Sequence, residues 1–365
     1  MNSQVIDLAN PSWKETLANI THDIYQIPEY ILLEANRSKG EGEAIIIKDQ
    51  EQIFFVPYLI SSCESAITNE FLKEEIFDIK SPYGYPGILL SDEAANSPDF
   101  VRAAFAEFQE ILKSKNVCTA FLRMHPIINE NLVDILPLNT LTENGETVSI
   151  DLRIPEEKLW SHTRKGHKST INKCKRMGME AKFVPIAGYI NEFTAIYQET
   201  MARVGASDKY YSFDFNYYDE MRKALGERLH LCIVEHENEV ACVGLYTEVC
   251  GIVQSLLGGT KDKFVHLSPS SLETDYARYW AHRRGNKFLH LGGGIGGWQD
   301  HVYRFKAGFS KLRHPFYTLR LIIDQDKYDY LVNLKAKLNN IAVEKLRDSD
   351  FFPAYRSSLA VKSKQ

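Results

Sequence analysis

The chain has 365 residues, 44% hydrophobic and 25% charged, with a net charge of −5; this is a soluble globular composition too long for one ordinary core, so two domains are expected. No apolar run approaches the ~18 residues a spanning helix needs, and the N-terminus lacks a basic region followed by an apolar one, which predicts a cytoplasmic protein without membrane insertion. The acidic balance gives no global pull on nucleic acid, so DNA is not expected and any polyanion must meet a local basic patch; six cysteines without a C-x-x-C pair argue against a disulfide frame or a metal site.

In chain order, residues 12–20 suit a short helix. Glu43 to Ile60 reads as a hairpin whose second strand is closed by Pro57. Ser81-Pro82-Tyr83-Gly84-Tyr85-Pro86-Gly87 is either a plain loop or a ligand platform. Apolar residues at Phe100, Ala104, Phe108, Ile111 and Leu112 predict a helix over 98–115. A buried strand over 117–122 follows, ending in Arg123-Met124-His125-Pro126 at a place where α/β folds put ligand contacts. A shorter helix over 129–136 and a strand over 146–152 complete one α/β domain, with the boundary near Pro155.

Pro155 then opens a long polar helix to about Met177, in which Arg164, Lys168, Ile171 and Lys175 share a face. That face is either solvated or a phosphate-binding surface. A strand over 179–184 and helices over 190–204 and 216–225 lead to an antiparallel meander over 229–235, 240–249 and 252–257. Ser268-Pro269-Ser270-Ser271 reads as a capped helix start whose free N–H groups suit an anion; that helix ends near Gly285. A last strand over 317–323 and an amphipathic helix to about Leu346 precede a loose tail after Asp350. The expected domains are therefore 1–153 and 154–330, with a C-terminal helix and tail over 331–365.

The segment Phe288 to Ser310 concentrates the chemistry. A short strand runs into Gly292-Gly293-Gly294-Ile295-Gly296-Gly297, and after Trp298-Gln299-Asp300-His301 a helix carries Lys306 between Phe305 and Ala307. Gly292-x-Gly294-x-x-Gly297 matches the dinucleotide fingerprint literally. It lacks the helix straight after the glycines and the acid about 20 residues on that this fold requires.

The order of elements resembles a GNAT acyltransferase, and the first half resembles a rougher copy of the second. Five pieces carry a resemblance to the FemAB-like branch of the GNAT superfamily: Tyr83-Gly84-Tyr85-Pro86-Gly87, Arg123-Met124-His125-Pro126, the run Lys165 to Lys173, Tyr210-Tyr211-Ser212-Phe213, and Leu291 to Gly294 with Arg304 to Ser310. The resemblance implies two tandem GNAT-like α/β domains with mixed, largely antiparallel central sheets and substrate bound between them. The long helical arm frequent in tRNA-dependent members is missing. The chain is thus more similar to members that N-acylate dTDP-linked 3-amino-3,6-dideoxyhexoses with acyl-CoA for surface polysaccharides.

On that resemblance the expected partners are coenzyme A and a nucleotide-linked amino sugar. An amine attacking a thioester has a reference pKa of about 8, so His301 or Asp300 suffices as its base. The amides of Gly292, Gly293 and Gly294 and the charge of Lys306 meet the oxyanion, and Tyr303 protonates the departing thiolate. Coenzyme A pyrophosphate is expected at Ser268, Ser270 and Ser271, and the sugar nucleotide at Tyr83, Tyr85, Arg123, Lys168 and Tyr211. Two alternatives stand beside this reading: a FemABX-type transferase using aminoacyl-tRNA, and a sugar-nucleotide binding protein without turnover.

Overall fold

The computed structural model describes residues 1–67, 74–206 and 213–357. They form two compact units: Met1–Thr21, Tyr25–Glu143 and the chain from Tyr317 on, and His22–Ile24 with Asn144–Phe316. These limits differ from 153/154 and 330/331. The chain changes unit at 143/144 and again at 316/317, each time inside a continuous strand, with Gly145 and Pro315 next to the crossings.

In the first unit, β1 (Asn2–Asp7), α1 (Ser12–Leu17) and α2 (Pro28–Ser38) lead to the hairpin β2 (Glu41–Asp49) and β3 (Gln52–Ser62). Pro57 does not close β3. On one side of β3 lies β2, and on the other β5 (Leu89–Leu90) pairs only with Phe54 and Phe55 while β4 (Phe77–Lys80) pairs only with Leu59 to Ser62. Proline thus occupies the gap in the ladder, where a missing N–H costs nothing. After α3 (Asp92–Ala95), α4 (Pro98–Ser114) buries Phe100, Ala104, Phe108 and Leu112 at four-residue intervals against the sheet. Strand β6 (Val117–Arg123) runs parallel to β4. The helix expected over 129–136 is only a 3₁₀ turn, Glu130–Asp134, because the Asn129 side chain is spent on the amides of His125 and Ile88.

Strand β7 (Leu141–Asp151) enters the second unit. The single helix expected after Pro155 is two, α5 (Glu156–Ser161) and α6 (Lys165–Arg176). The break is held by tertiary contacts: the buried Thr163 hydroxyl accepts from Arg278, and the Arg164 amide donates to the Gly308 carbonyl at 2.7 Å. Strand β8 (Glu180–Val184), α7 (Ile190–Arg203) and α8 (Phe215–Leu225) precede the meander β9 (Leu229–His236), β10 (Glu239–Val249) and β11 (Ile252–Thr260). Next come α9 (Ser270–Arg283), β12 (Phe288–Gly292) and α10 (His301–Lys306). The sheet order is β7-β12-β11-β10-β9-β8, with every neighbouring pair antiparallel except β11 and β12.

The chain returns to the first unit along β13 (Leu312–Ile322), which pairs antiparallel with β6 through Thr318 to Ile322. The helix expected up to Leu346 is divided into α11 (Gln325–Asn339) and α12 (Val343–Arg347), separated by Asn340 in the left-handed region. The described residues after Asp350, 351–357, are not loose. Tyr355 is fully buried and donates its hydroxyl hydrogen to Asp78, whose other oxygen accepts from Arg356 at 2.6 Å. No described helix is long and apolar enough to cross a membrane.

Candidate active site

Strands β11 and β12 are paired only from Ile252 to Gln254 and from Phe288 to His290. Beyond that point β11 continues unaccompanied by β12, and a cavity of about 310 Å³ opens along it, walled by Gly258 and Gly259 of β11, Ser270, Glu273 and Thr274 of α9, and Val302, Phe305 and Lys306 of α10. Parallel strands that part company leave unpaired backbone and a concave floor, which is where mixed sheets place ligands.

Helical phase decides what α10 contributes. Val302, Phe305 and Lys306 lie on one face by i,i+3 and i,i+4 spacing and line the cavity. Lys306 is half-buried, and its ammonium donates to the Gly293 carbonyl at 2.7 Å. Burial pulls its pKa down to about 8, against the opposing influence of Asp300. At neutral pH it is still mostly a cation, in surroundings that strengthen its field.

Tyr303, one turn before Lys306, does not line the cavity. Its hydroxyl donates to Glu146 and accepts from Arg313 at 3.0 Å, while burial and then the Glu146 carboxylate push its pKa up. The expected donor of a proton to the leaving thiolate is therefore occupied elsewhere. Asp300 caps α10, with Oδ1 accepting from the Tyr303 amide at 2.8 Å and Oδ2 from the Ile295 amide at 3.1 Å. Burial would raise its pKa, but these amide bonds outweigh it and hold the carboxyl low, which suits a cap and not a base. His301 is exposed at the first position of the helix and does not line the cavity.

The glycines serve the loop more than a ligand. Gly292 (φ 78°) still pairs with Val148, the Gly293 carbonyl holds Lys306, and a Cβ at Gly294 would sit 1.9 Å from the Trp298 carbonyl oxygen. None of the three lines the cavity, and the amides of Ile295, Gly297 and Trp298 are bonded within the loop. The expected row of oxyanion donors thus becomes a tight scaffold that presents one carbonyl to Lys306.

Helix α6 fixes α10 from behind. His167 Nε2 lies 2.8 Å from the Phe305 carbonyl, which only accepts, so Nε2 carries the proton; Arg164 reaches Nδ1 at 3.3 Å. Burial lowers the imidazole pKa, consistent with this neutral tautomer. Its ring packs 4.7 Å from Phe309 and 5.3 Å from Phe305. Two motifs 138 residues apart, Gly166-His167-Lys168 and Phe305-Lys306-Ala307-Gly308-Phe309, are thus one packed unit. On the outer side of α6, Lys168 and Lys175 each stand 5.8 Å from the Trp160 ring; Lys168 donates to the Ser161 carbonyl and Lys175 to Asp275.

At the start of α9, Ser268 is exposed in the left-handed region and is not the cap; Pro269 holds that position. The amides of Ser271, Leu272 and Glu273 already donate to the carbonyls of Ser268 and Pro269, so the open anion cradle expected there is largely filled by the chain itself. Ser271 is buried, and only Ser270 of the three serines lines the cavity.

The same turn carries a residue that sequence reasoning missed. Glu273 is 5% exposed and lines the cavity. Burial lifts its pKa to about 7, with the nearby Tyr246 hydroxyl and then the Thr274 hydroxyl pulling the other way. An acid in a first helical turn reads as a partner of the helix dipole, and only the tertiary fold shows this one turned inward.

Three further expected contacts, Tyr83, Tyr85 and Arg123, lie in the first unit. Tyr83 and Tyr85 are half-buried; the Tyr83 amide donates to Glu34, and Tyr85 packs edge-on against Tyr25 at 5.8 Å. Arg123 ends β6, its amide donating to Ser81 Oγ. Tyr211 lies outside the described residues. Among the described residues no three His, Cys, Asp or Glu side chains are placed to hold a metal ion.

The FemAB family model matches residues 139–240. No curated protein matches the sequence. Among solved structures the chain is similar to FemX, at 11% identity over 90% of this chain and 99% of that one, with a TM-score of 0.66. It is also similar to a conserved protein of unknown function from Bacteroides thetaiotaomicron VPI-5482 (11% identity, 88% and 99% covered, TM-score 0.53) and to L-PGS from Bacillus licheniformis (11%, 87% and 93%, 0.51). At such identities the structural likeness is one of fold. The chain thus shares the fold of FemX along most of its length and resembles the FemAB family from β7 into β10.

Proposed function

We propose that the second unit catalyses N-acyl transfer, with an amine attacking an activated acyl carbonyl in the cavity beside β11. The observation that carries this reading is Lys306: a cation set by the Gly293 carbonyl in a half-open cavity at the point where two parallel strands part. The amine lone pair forms the new N–C bond, the carbonyl oxygen becomes an oxyanion beside the Lys306 ammonium, and the bond to the donor's sulfur or oxygen breaks as the carbonyl reforms. Supporting acyl-CoA as donor and a dTDP-linked amino-deoxy sugar as acceptor are the sequence resemblance and the absence of a long helical arm.

The second reading, an aminoacyl-tRNA donor, draws on two features. The amides at the start of α9 are already engaged, which leaves little for a pyrophosphate. A groove of about 430 Å³ is lined by Lys175, Tyr276, Trp280, Arg283 and Arg284, cations and aromatic faces side by side, the chemistry that takes phosphates and bases.

The two donors are separated by one assay. The protein is incubated with dTDP-3-amino-3,6-dideoxyhexoses and either acetyl-CoA or 3-hydroxybutyryl-CoA, reading free thiol, or a mixture of charged tRNAs, reading amino acid transferred to the sugar. Acceptor-dependent thiol release supports acyl-CoA. Transfer from tRNA alone replaces that donor, and no transfer from either removes the transferase reading for these acceptors.

A further inference from the structure

Forming an amide from an amine leaves the nitrogen with a proton to lose. Asp300 is held as a cap and His301 does not reach the cavity. Among the described residues lining the cavity, Glu273 is the one carboxylic acid, and no histidine accompanies it. Its Oε2 accepts from Thr274 Oγ1 at 3.2 Å, and its Oε1 has no hydrogen-bond partner among the described residues. Space for Oε1 exists because residue 244 is glycine, where a Cβ would stand 2.0 Å away. A carboxyl this deep with a structural task is normally matched by a cation. The buried cation of the same helix, Arg278, is instead paired with Asp275, which Lys175 also reaches.

Within the acyl-transfer reading above, we propose that Glu273 is the catalytic group that takes the proton from the attacking amine and hands it to the departing atom of the donor. As the nitrogen lone pair bonds to the acyl carbon, the nitrogen's proton passes to the Glu273 carboxylate. The oxyanion beside Lys306 then collapses, the C–S or C–O bond breaks with its electron pair on sulfur or oxygen, and the Glu273 proton neutralises that atom. Atoms and charge balance, and the carboxylate is regenerated.

The surroundings suit this task. Facing Glu273 are Tyr246 and Cys242 from β10, Cys232 from β9, and across the cavity Lys306 from α10 and Arg203 from α7, the last engaged with Asp262. Burial brings the carboxyl to about 7, a value at which one group both accepts and returns a proton near neutrality. The carboxylate needed for attack is populated above that pH.

The test is the pH profile of kcat/KM for wild type and Glu273→Gln, with dTDP-3-amino-3,6-dideoxyhexose as acceptor and whichever donor, acetyl-CoA or the tRNA mixture, the wild type uses. Glu273→Gln should lower kcat by about 10²- to 10³-fold and abolish the limb near pH 7, while KM for the donor stays within a few fold. An unchanged kcat with the same limb overturns the proposal. If Glu273→Gln does not fold, Glu273→Asp carries the test: it keeps a limb but loses rate, and a full rate refutes the role. Carbon-13 titration of the carboxyls gives a check that needs no turnover, since a Glu273 resonance titrating near 4 also refutes it. A wild type inactive with both donors overturns the transfer reading, and the role of Glu273 falls with it.

Discussion

Lys306 shows a residue held against its own preference. Its pKa in the folded protein, about 8, lies below the ordinary lysine value of 10.5, so between those two the unfolded chain binds more protons and stability rises with pH. Below about pH 8 the full cost of burying the charge is present. Lys306→Met should therefore raise the melting temperature at pH 7, with the gain fading toward pH 10, while activity is lost. A variant that melts lower at pH 7 would make the lysine structural. The sequence singles out this residue because a lysine between Phe305 and Ala307 after a glycine run sits in an apolar setting, and the structure places it at the cavity wall. Its neighbour Tyr303, at i,i+3 spacing from Lys306, looks equally placed in the sequence, and only its bonds to Glu146 and Arg313 in the fold draw its hydroxyl away from the cavity. Glu273 was not legible, since its inward course depends on Gly244, 29 positions away on strand β10.

At the scale of elements, the position of α10 depends on its fit against α6. A Cβ at Gly308 would come within 2.4 Å of His167 Nε2, a contact that cannot be relieved without moving the ring that holds the Phe305 carbonyl. Gly308→Ala should cost about 1–3 kcal/mol by overpacking and reduce kcat by displacing Lys306. His167→Ala in the same chain should recover part of the loss, so the two changes are not additive. Unaltered melting and turnover in Gly308→Ala would show that α10 is placed by other contacts. The sequence revealed both motifs but not their meeting, which is a matter of packing. The basic face of α6 is a related case: Lys168→Glu with Lys175→Glu should raise KM for the phosphate-bearing substrate more than it lowers kcat. Unchanged KM values at normal stability would return this face to solvent.

Across the whole molecule, each unit carries an antiparallel sheet with one parallel pair, β4 with β6 and β11 with β12. Strand periodicity and the order of helices made this architecture legible. The unit limits were not, because the chain crosses between units inside β7 and β13, and a strand looks the same on both sides of a crossing. Nor was the C-terminal anchoring, since Tyr355 and Arg356 gain meaning only through Asp78, 277 and 278 residues earlier. The central claim is that acyl transfer is driven from the cavity of the second unit by the charge of Lys306. Its most direct test is single-turnover formation of the N-acyl product, with donor and acceptor saturating, by wild type and by folded Lys306→Met. The account predicts product formation about 10²- to 10³-fold slower in Lys306→Met, as for loss of one oxyanion donor, with donor affinity nearly unchanged. Equal single-turnover rates in the two proteins would contradict it.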